Sequence, residues 1–279
     1  MNASAGPSPG SAAEAAPDRY FEAGGARLRY RDEGAGAAVI LAHGWTLDLE
    51  MWEPQVAALR REFRLVRLDR RGHGLSAGLP DTNQDAADLA ALCAHLGITR
   101  CSLVGMSQGA RGVLALAATA PALVTALILD GPPAFESGES DDVPVAQFRA
   151  LAQRSGMAAF RREWMRLPFV QLRSRDARAH ALLAAMIERF PGHELLAASV
   201  PPAAAPAPAL PTLSVPTLVL VGEHDSASRA QAAQFLCAQL PQAQCVVIAD
   251  AGHLPNLDQP ARYSDLCRAF LARHADRGA

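Results

Sequence analysis

A chain of 279 residues, half of them apolar and with a formal net charge of −2, is long enough to bury a large core as one domain carrying an insertion. All 26 basic residues are Arg, and without Lys there is neither Schiff-base chemistry nor a phosphate-binding loop of the GK[ST] kind. The balanced charge gives no footprint for nucleic acid or an anionic membrane surface, and no segment reaches the about 20 apolar residues of a membrane span. The expected partner is a small molecule.

Residues 1–17 are rich in Ala, Gly, Ser and Pro and lack both a basic start and an apolar stretch. They read as a flexible tail and not as a secretory signal. The five Cys (Cys93, Cys101, Cys237, Cys245 and Cys267) are widely spaced, without CxxC or Cys/His metal spacing. They read as packed core thiols in a reducing compartment, which places the protein in the cytoplasm, and no metal site is expected.

Short β-rich runs at 19–22, 26–32, 38–42, 64–69, 101–105 and 126–130 alternate with helical patterns, and the alternation resumes at 217–221 and 244–249. That rhythm predicts an α/β fold, a mostly parallel eight-stranded sheet covered by helices. Gly24-Gly25 turns the first pair into an edge hairpin. From 82 to 97, Leu89, Leu92, Cys93 and Leu96 share one helix face, with Thr82 and Asp85 as a cap and Gly97 as a stop. A more fully buried helix follows over 108–120, ended by Pro121. No strand is evident from Phe135 to Ser199. An acidic run at 136–142 reads as an exposed loop, then come helical patterns bearing Phe148, Leu151, Phe160, Trp164 and Met186. The α/β core is expected over 18–134 and 212–279, with 135–211 forming a helical cap and a stiff Pro/Ala return linker.

The chemistry is carried first by Gly105-Met106-Ser107-Gln108-Gly109, a G-x-S-x-G sequence at a strand-to-helix junction. Small residues on both sides let the chain reverse so that the Ser107 hydroxyl stands above the sheet at the start of a helix. A Ser hydroxyl is a weak nucleophile at neutral pH and needs a base, which in turn needs an orienting acid. His253, in AGHLP, and Asp225, in GEHD, each follow a strand end, where an open α/β sheet builds its site. Asp130 also ends a strand and competes with Asp225 for the role of acid. The backbone amides of Gln108 and of Trp45, in HGW, are the candidate oxyanion donors. His43 reads as a structural residue beneath that loop, and Asp69–Ser76 as a Gly-rich turn that shapes it.

HGW, the DxxGxGxS turn, GMSQG, VGEHD and AGHLPN occur in this order, and with them the chain resembles the α/β-hydrolase family from Arg19 to about Arg273. The resemblance implies an eight-stranded sheet of order 1-2-4-3-5-6-7-8, the triad Ser107, Asp225 and His253, oxyanion amides at Trp45 and Gln108, and no cofactor. The branches most similar are small esterases, enol-lactone hydrolases and the cofactor-free haloperoxidase-like group. Ser107 stands where dehalogenases and epoxide hydrolases carry Asp. HGWTLD replaces the HGSGPG-like loop of many carbon–carbon-bond hydrolases. The expected activity is hydrolysis of a small-to-medium carboxylic ester or lactone through an acyl-enzyme. The alternatives are carbon–carbon cleavage of a vinylogous diketone by the same triad, or a ligand receptor that does not turn over. Arg111, one turn into the elbow helix, either pairs structurally or meets substrate.

Overall fold

The computed structural model describes residues 16–134, 143–198 and 208–274; the expectations for 1–15, for 136–142 and for most of the Pro/Ala run fall outside them. Strands β1 (Arg19–Ala23) and β2 (Ala26–Glu33) form an antiparallel hairpin. Its turn is possible because Gly24 and Gly25 take φ +51° and +73°. The remaining strands are β3 (Ala37–Ala42), β4 (Phe63–Leu68), β5 (Cys101–Met106), β6 (Val124–Asp130), β7 (Thr217–Gly222) and β8 (Ala243–Ile248). They run parallel to one another, in the order β1-β2-β4-β3-β5-β6-β7-β8. This is the predicted order. Every residue of β5, β6 and β7 is buried, as strands covered on both faces must be, which is why they read as unbroken apolar runs.

In chain order the helices are α1 (Glu53–Leu59), α2 (Asp85–His95), α3 (Gln108–Thr119), α4 (Val145–Trp164), α5 (Ala177–Arg189), α6 (His193–Leu196), α7 (Ala227–Gln239), α8 (Pro255–Asp258) and α9 (Pro260–His274). One sheet face packs on α2, α3 and α7 through residues such as Leu89, Val113 and Leu236. The other face packs on α1 and α9 through Val56 and Phe270, and that cluster continues into the helices inserted between β6 and β7. Within the insertion Gly156 breaks α4 at φ +79°. Phe148, Phe160, Trp164, Leu183, Met186 and Phe190 bury together there, and Arg189 ties the end of α5 to Asp48 and Glu50 at 2.8 and 2.7 Å.

Two local expectations are corrected. α2 starts at Asp85 behind Gln84, with no side-chain cap from Thr82, because the Asp85 carboxylate is committed to the Arg70 guanidinium at 2.6 Å. Only Cys93, Cys101 and Cys267 are buried free thiols. Cys237 and Cys245, eight positions apart, are joined in a disulfide between α7 and β8, and Cys245 is exposed where a packed residue was expected. The case for a reducing compartment loses the support it drew from five thiols.

Beneath the loops at the C-terminal ends of β3 and β4 lies a fully buried carboxylate, Asp69. It accepts from the Leu49 and Leu75 backbone amides, both at 2.8 Å, and from Arg29 at 3.1 Å. Burial first, then the nearby Asp48 charge, push its pKa up to about 6 against the pull of Arg29. The turn that wraps it requires Gly74, at φ +52°, where a Cβ would stand 2.2 Å from Asp69 Oδ2. Gly74→Ala is therefore expected to cost about 2 kcal/mol or more through combined strain and overlap. Gly25→Ala, equally left-handed but facing open space, should cost about half as much. Urea unfolding of the two variants side by side checks the difference.

Candidate active site

The reversal from β5 into α3 puts Ser107 at φ +51°, ψ −116°, a conformation that L-residues avoid. Two glycines allow it. A Cβ on Gly105 would lie 2.6 Å from the Gly109 carbonyl oxygen, and one on Gly109 would lie 2.4 Å from that of Ala42. Ser107 N–H donates to the Asp130 carbonyl at 2.8 Å, so the turn is pinned to the end of β6. Because α3 begins at Gln108, the Gln108 amide opens the helix without an i−4 partner in its ladder, while the Ala110 amide closes the turn onto the Ser107 carbonyl at 2.9 Å.

The candidate base and acid meet at the ends of the next strands. His253 Nδ1 lies 2.8 Å from Asp225 Oδ2, with both side chains buried. A carboxylate can only accept, so Nδ1 carries the proton and Nε2 is left as the acceptor. The second Asp225 oxygen is satisfied by the Ser226 amide at 2.7 Å. Gly131 threads between: a Cβ there would be 3.0 Å from the His253 ring and 3.3 Å from Asp225 Oδ2. Ser107 and His253 thus flank the same two residues, Asp130 and Gly131. The geometry separates the competing carboxyls: Asp225 holds the imidazole, and Asp130 lies fully buried under the site with Tyr263 and Cys267 as neighbours. Burial and the adjacent Asp225 charge drive the Asp130 pKa well above the ordinary carboxylate range.

The HGW loop lies on the other side of Ser107. A Cβ on Gly44 would be 3.3 Å from the Ser107 Cβ, which brings the Trp45 amide beside the elbow. His43 is completely buried and braces this loop: its Nδ1 donates to the Gly44 carbonyl at 2.7 Å and its Nε2 accepts from the Arg70 amide at 2.9 Å. Burial, then His73 and Arg70, hold its pKa well below the usual histidine range. It is therefore a neutral structural brace, as expected. His73, in the Gly-rich turn, is likewise held down to about 3 by burial and Arg70. The Gln108 side chain accepts from Arg70 at 3.2 Å. Arg111 reaches the Ala134 carbonyl.

Sequence reasoning missed several supports. Asp258 accepts from the Gly252 amide at 2.7 Å and from the Arg173 and Ser174 amides at 2.7 and 3.0 Å, joining the His253 loop to the inserted helices. Phe169 of that insertion lies edge-on to the His253 ring at 5.4 Å. Asn256 donates to the Met51 carbonyl at 2.9 Å and its own carbonyl accepts from Gln55 of α1 at 2.9 Å, anchoring the same loop to α1 and the turn before it. Asn256 stood within AGHLPN, so its motif was visible; Asp258 had no such marker.

A serine at the β5–α3 reversal and a hydrogen-bonded His–Asp pair beyond the ends of β7 and β8, on this sheet order, point to a hydrolase fold. Residues 37–260 match the family described as alpha/beta hydrolase fold, and the chain belongs to that family. It is 31% identical to an esterase from Thermogutta terrifontis solved with malate bound, over 92% of this chain and 99% of that one, with a TM-score of 0.78. The enol-lactonase from Burkholderia xenovorans LB400 is 27% identical over 91% and 100% of the two chains, at a TM-score of 0.74. A non-heme haloperoxidase from Rhodococcus erythropolis is 40% identical over 89 residues, 30% of this chain and 32% of that enzyme.

The two carboxyls should respond differently to neutralisation. Asp225→Asn removes the acceptor that fixes the His253 tautomer, and turnover is expected to fall by about 10⁴-fold. Asp130→Asn keeps the side-chain shape and leaves the His253–Asp225 hydrogen bond in place, so turnover should stay within a few-fold. A carboxyl whose folded pKa is raised stabilises the fold below the ordinary carboxylate range, and that contribution is lost as pH rises through the raised value. Asp130→Asn should therefore gain stability relative to the native chain as pH rises, read from urea midpoints from the ordinary carboxylate range upward.

Proposed function

We propose that the protein is a serine hydrolase that cleaves a small-to-medium carboxylic ester or lactone through an acyl-enzyme on Ser107. The single observation carrying this reading is the buried Asp225–His253 hydrogen bond of 2.8 Å beyond the ends of β7 and β8, on the same edge of the sheet as the Ser107 elbow at the end of β5. In the first half-reaction His253 Nε2 takes the Ser107 proton as Oγ attacks the ester carbon. The oxyanion forms against the amides of Trp45 and Gln108. Collapse expels the alcohol, or opens the lactone ring, as the imidazolium returns the proton to the leaving oxygen. Water then repeats the sequence on the acyl-enzyme, with His253 as base and then acid, and releases the carboxylic acid and free Ser107. Asp225 stays ionised and stabilises the imidazolium.

The esterase and enol-lactonase relatives support the reaction class. In this reading the inserted helices act as a cap whose apolar side chains set acyl preference. Phe160, Trp164 and Phe190 surround the Trp45 ring at 5.0 to 6.0 Å, and Phe169 covers His253. Of the cap arginines, Arg161 serves the Ile187 and Phe190 carbonyls, Arg166 pairs with Glu163 at 2.9 Å, and Arg162, Arg173, Arg175 and Arg178 are exposed. An uncharged acyl chain fits such walls best, since a buried carboxylate is costly without a partner.

Ser107→Ala is expected to lower ester turnover by about 10⁶-fold with the fold intact, and a serine-directed phosphonate should label the Ser107 peptide alone. Sustained turnover by that variant would overturn the mechanism. Across p-nitrophenyl esters from acetate to hexanoate, kcat/KM should rise by up to about fourfold per added CH₂, the equivalent of about 0.8 kcal/mol of burial. Faster hydrolysis of dicarboxylic half-esters than of neutral esters of equal length would reverse the preference and point to an arginine facing the pocket.

A further inference from the structure

Glu194 lies in α6, 149 residues from Trp45 in the chain, yet its Oε1 accepts the hydrogen bond of the Trp45 indole N–H. Its side chain is buried, and its second oxygen is shielded from solvent without a hydrogen-bond partner among the described residues. Burial raises its pKa above the ordinary carboxylate value; the Trp45 bond, Arg70 and His193 pull the other way. An apolar side chain would fill the same aromatic surroundings without that desolvation cost. The carboxyl is therefore poorly explained by packing alone. Its own backbone is fixed independently, because Arg149 donates to the Glu194 carbonyl at 2.7 Å.

What the carboxyl holds has a second peculiarity. The residue after Trp45 is Thr46, at φ +64°. A β-branched side chain is strongly disfavoured in that region, so the loop leaving Trp45 is strained and needs an external hold to keep its shape. On the near side the loop is braced by His43 through Gly44. On the far side the indole is the handle, gripped by rings of the inserted helices and hydrogen-bonded by Glu194.

We propose that Glu194 is a positioning residue for the oxyanion hole: by fixing the Trp45 indole it holds the strained Trp45–Thr46 backbone so that the Trp45 amide points at the developing oxyanion. This rests on the reading of Trp45 as an oxyanion donor. The inserted helices then do more than wall the pocket, since one of them completes the alignment of a donor that belongs to the core. An oxyanion donor acts on charge that appears only in the transition state, so the effect falls on kcat and leaves KM nearly unchanged.

The test is a double-mutant cycle with Glu194→Leu, Trp45→Phe and the pair, read on a short p-nitrophenyl ester, with Glu194→Gln as the variant that keeps an acceptor. Glu194→Leu is expected to lower kcat by about 10- to 100-fold with KM within about twofold, the scale of a misaligned donor. Trp45→Phe should do the same, the double variant should be no worse than either, and Glu194→Gln should retain most of the native kcat. Additive losses, a Glu194→Leu effect confined to KM, or native kcat in Glu194→Leu would overturn the proposal. If Glu194→Leu does not fold, the cycle is run with Glu194→Met. The tie is also read without turnover, from the ¹⁵N–¹H indole signal of Trp45, which should shift and exchange faster in Glu194→Leu; an unmoved signal overturns the proposal. Failure of the hydrolase reading itself looks different: the native protein would turn over no ester, or Ser107→Ala would match it.

Discussion

A strand that must become a helix within one residue, with its side chain held clear of the sheet, has very few backbone solutions. Ser107 uses one of them, at φ +51°, which costs about 1 to 3 kcal/mol for a residue with a Cβ. The rest of the molecule is arranged around keeping that turn. Gly105 lets α3 fold back onto β5, and Gly109 lets it approach β3 within contact distance of the Ala42 carbonyl. The Asp130 carbonyl then captures the Ser107 amide. Because β3, β5 and β6 are neighbours in the sheet, one tight turn sets the HGW loop, the Ser hydroxyl and the Asp130–Gly131 corner beside one another.

The loops above this turn stand on buried ion pairs, and every cation in them is a guanidinium. Arg67, completely buried, holds Glu33 through two parallel bonds of 2.8 and 3.0 Å. Arg70 grips Asp85, Arg71 grips Asp88 and Arg29 reaches Asp69. Planar forked donors satisfy both carboxylate oxygens or bridge to nearby carbonyls, as Arg71 does to Ala23 at 2.8 Å; an ammonium offers a single point charge and no such fork. Removing either member of such a pair leaves a buried charge, so the pairs fix geometry more than they add stability. Arg70 shows the use of that rigidity. Its amide donates to His43, its side chain reaches Gln108 and its charge is held by Asp85, so one residue braces both sides of the proposed oxyanion hole.

Much of this was legible in the chain because the physics was local. Continuous apolar runs marked the buried strands to within about two residues, Gly24-Gly25 marked the hairpin, and the small residues around Ser107 marked the reversal. Asp225 and His253 were visible because each follows a strand end; the residues alone left Asp130 in competition, the resemblance favoured Asp225, and it is Asp225 that lies 2.8 Å from His253 Nδ1. What stayed hidden is the pairing of side chains far apart in sequence. Glu194 finds Trp45 across 149 positions and Asp258 finds Arg173 across 85, and neither acid sits in a pattern that differs from a solvated helix face. Cys237 and Cys245 are close in sequence, but their bond depends on how α7 returns to β8, which no spacing rule specifies. Thr82 failed as a cap for the same reason: Asp85 was already taken by a partner from another loop.

The Asp258 junction bears on how such a molecule can change over evolutionary time. Its carboxylate takes the Gly252 amide from the core and the Arg173 and Ser174 amides from the inserted helices. All three donors belong to the main chain. Substitution at Arg173 or Ser174 therefore leaves the junction intact so long as the backbone path is kept and no proline arrives there. The inserted segment is free to diversify its side chains, and with them the shape of what it encloses, while the loop carrying His253 stays seated. Length is the variable under restraint: a deletion or insertion between Phe169 and Ser174 would pull those amides off the carboxylate and loosen a loop the segment does not belong to. Drift in this lineage should then run through residue identity in that stretch and spare its register.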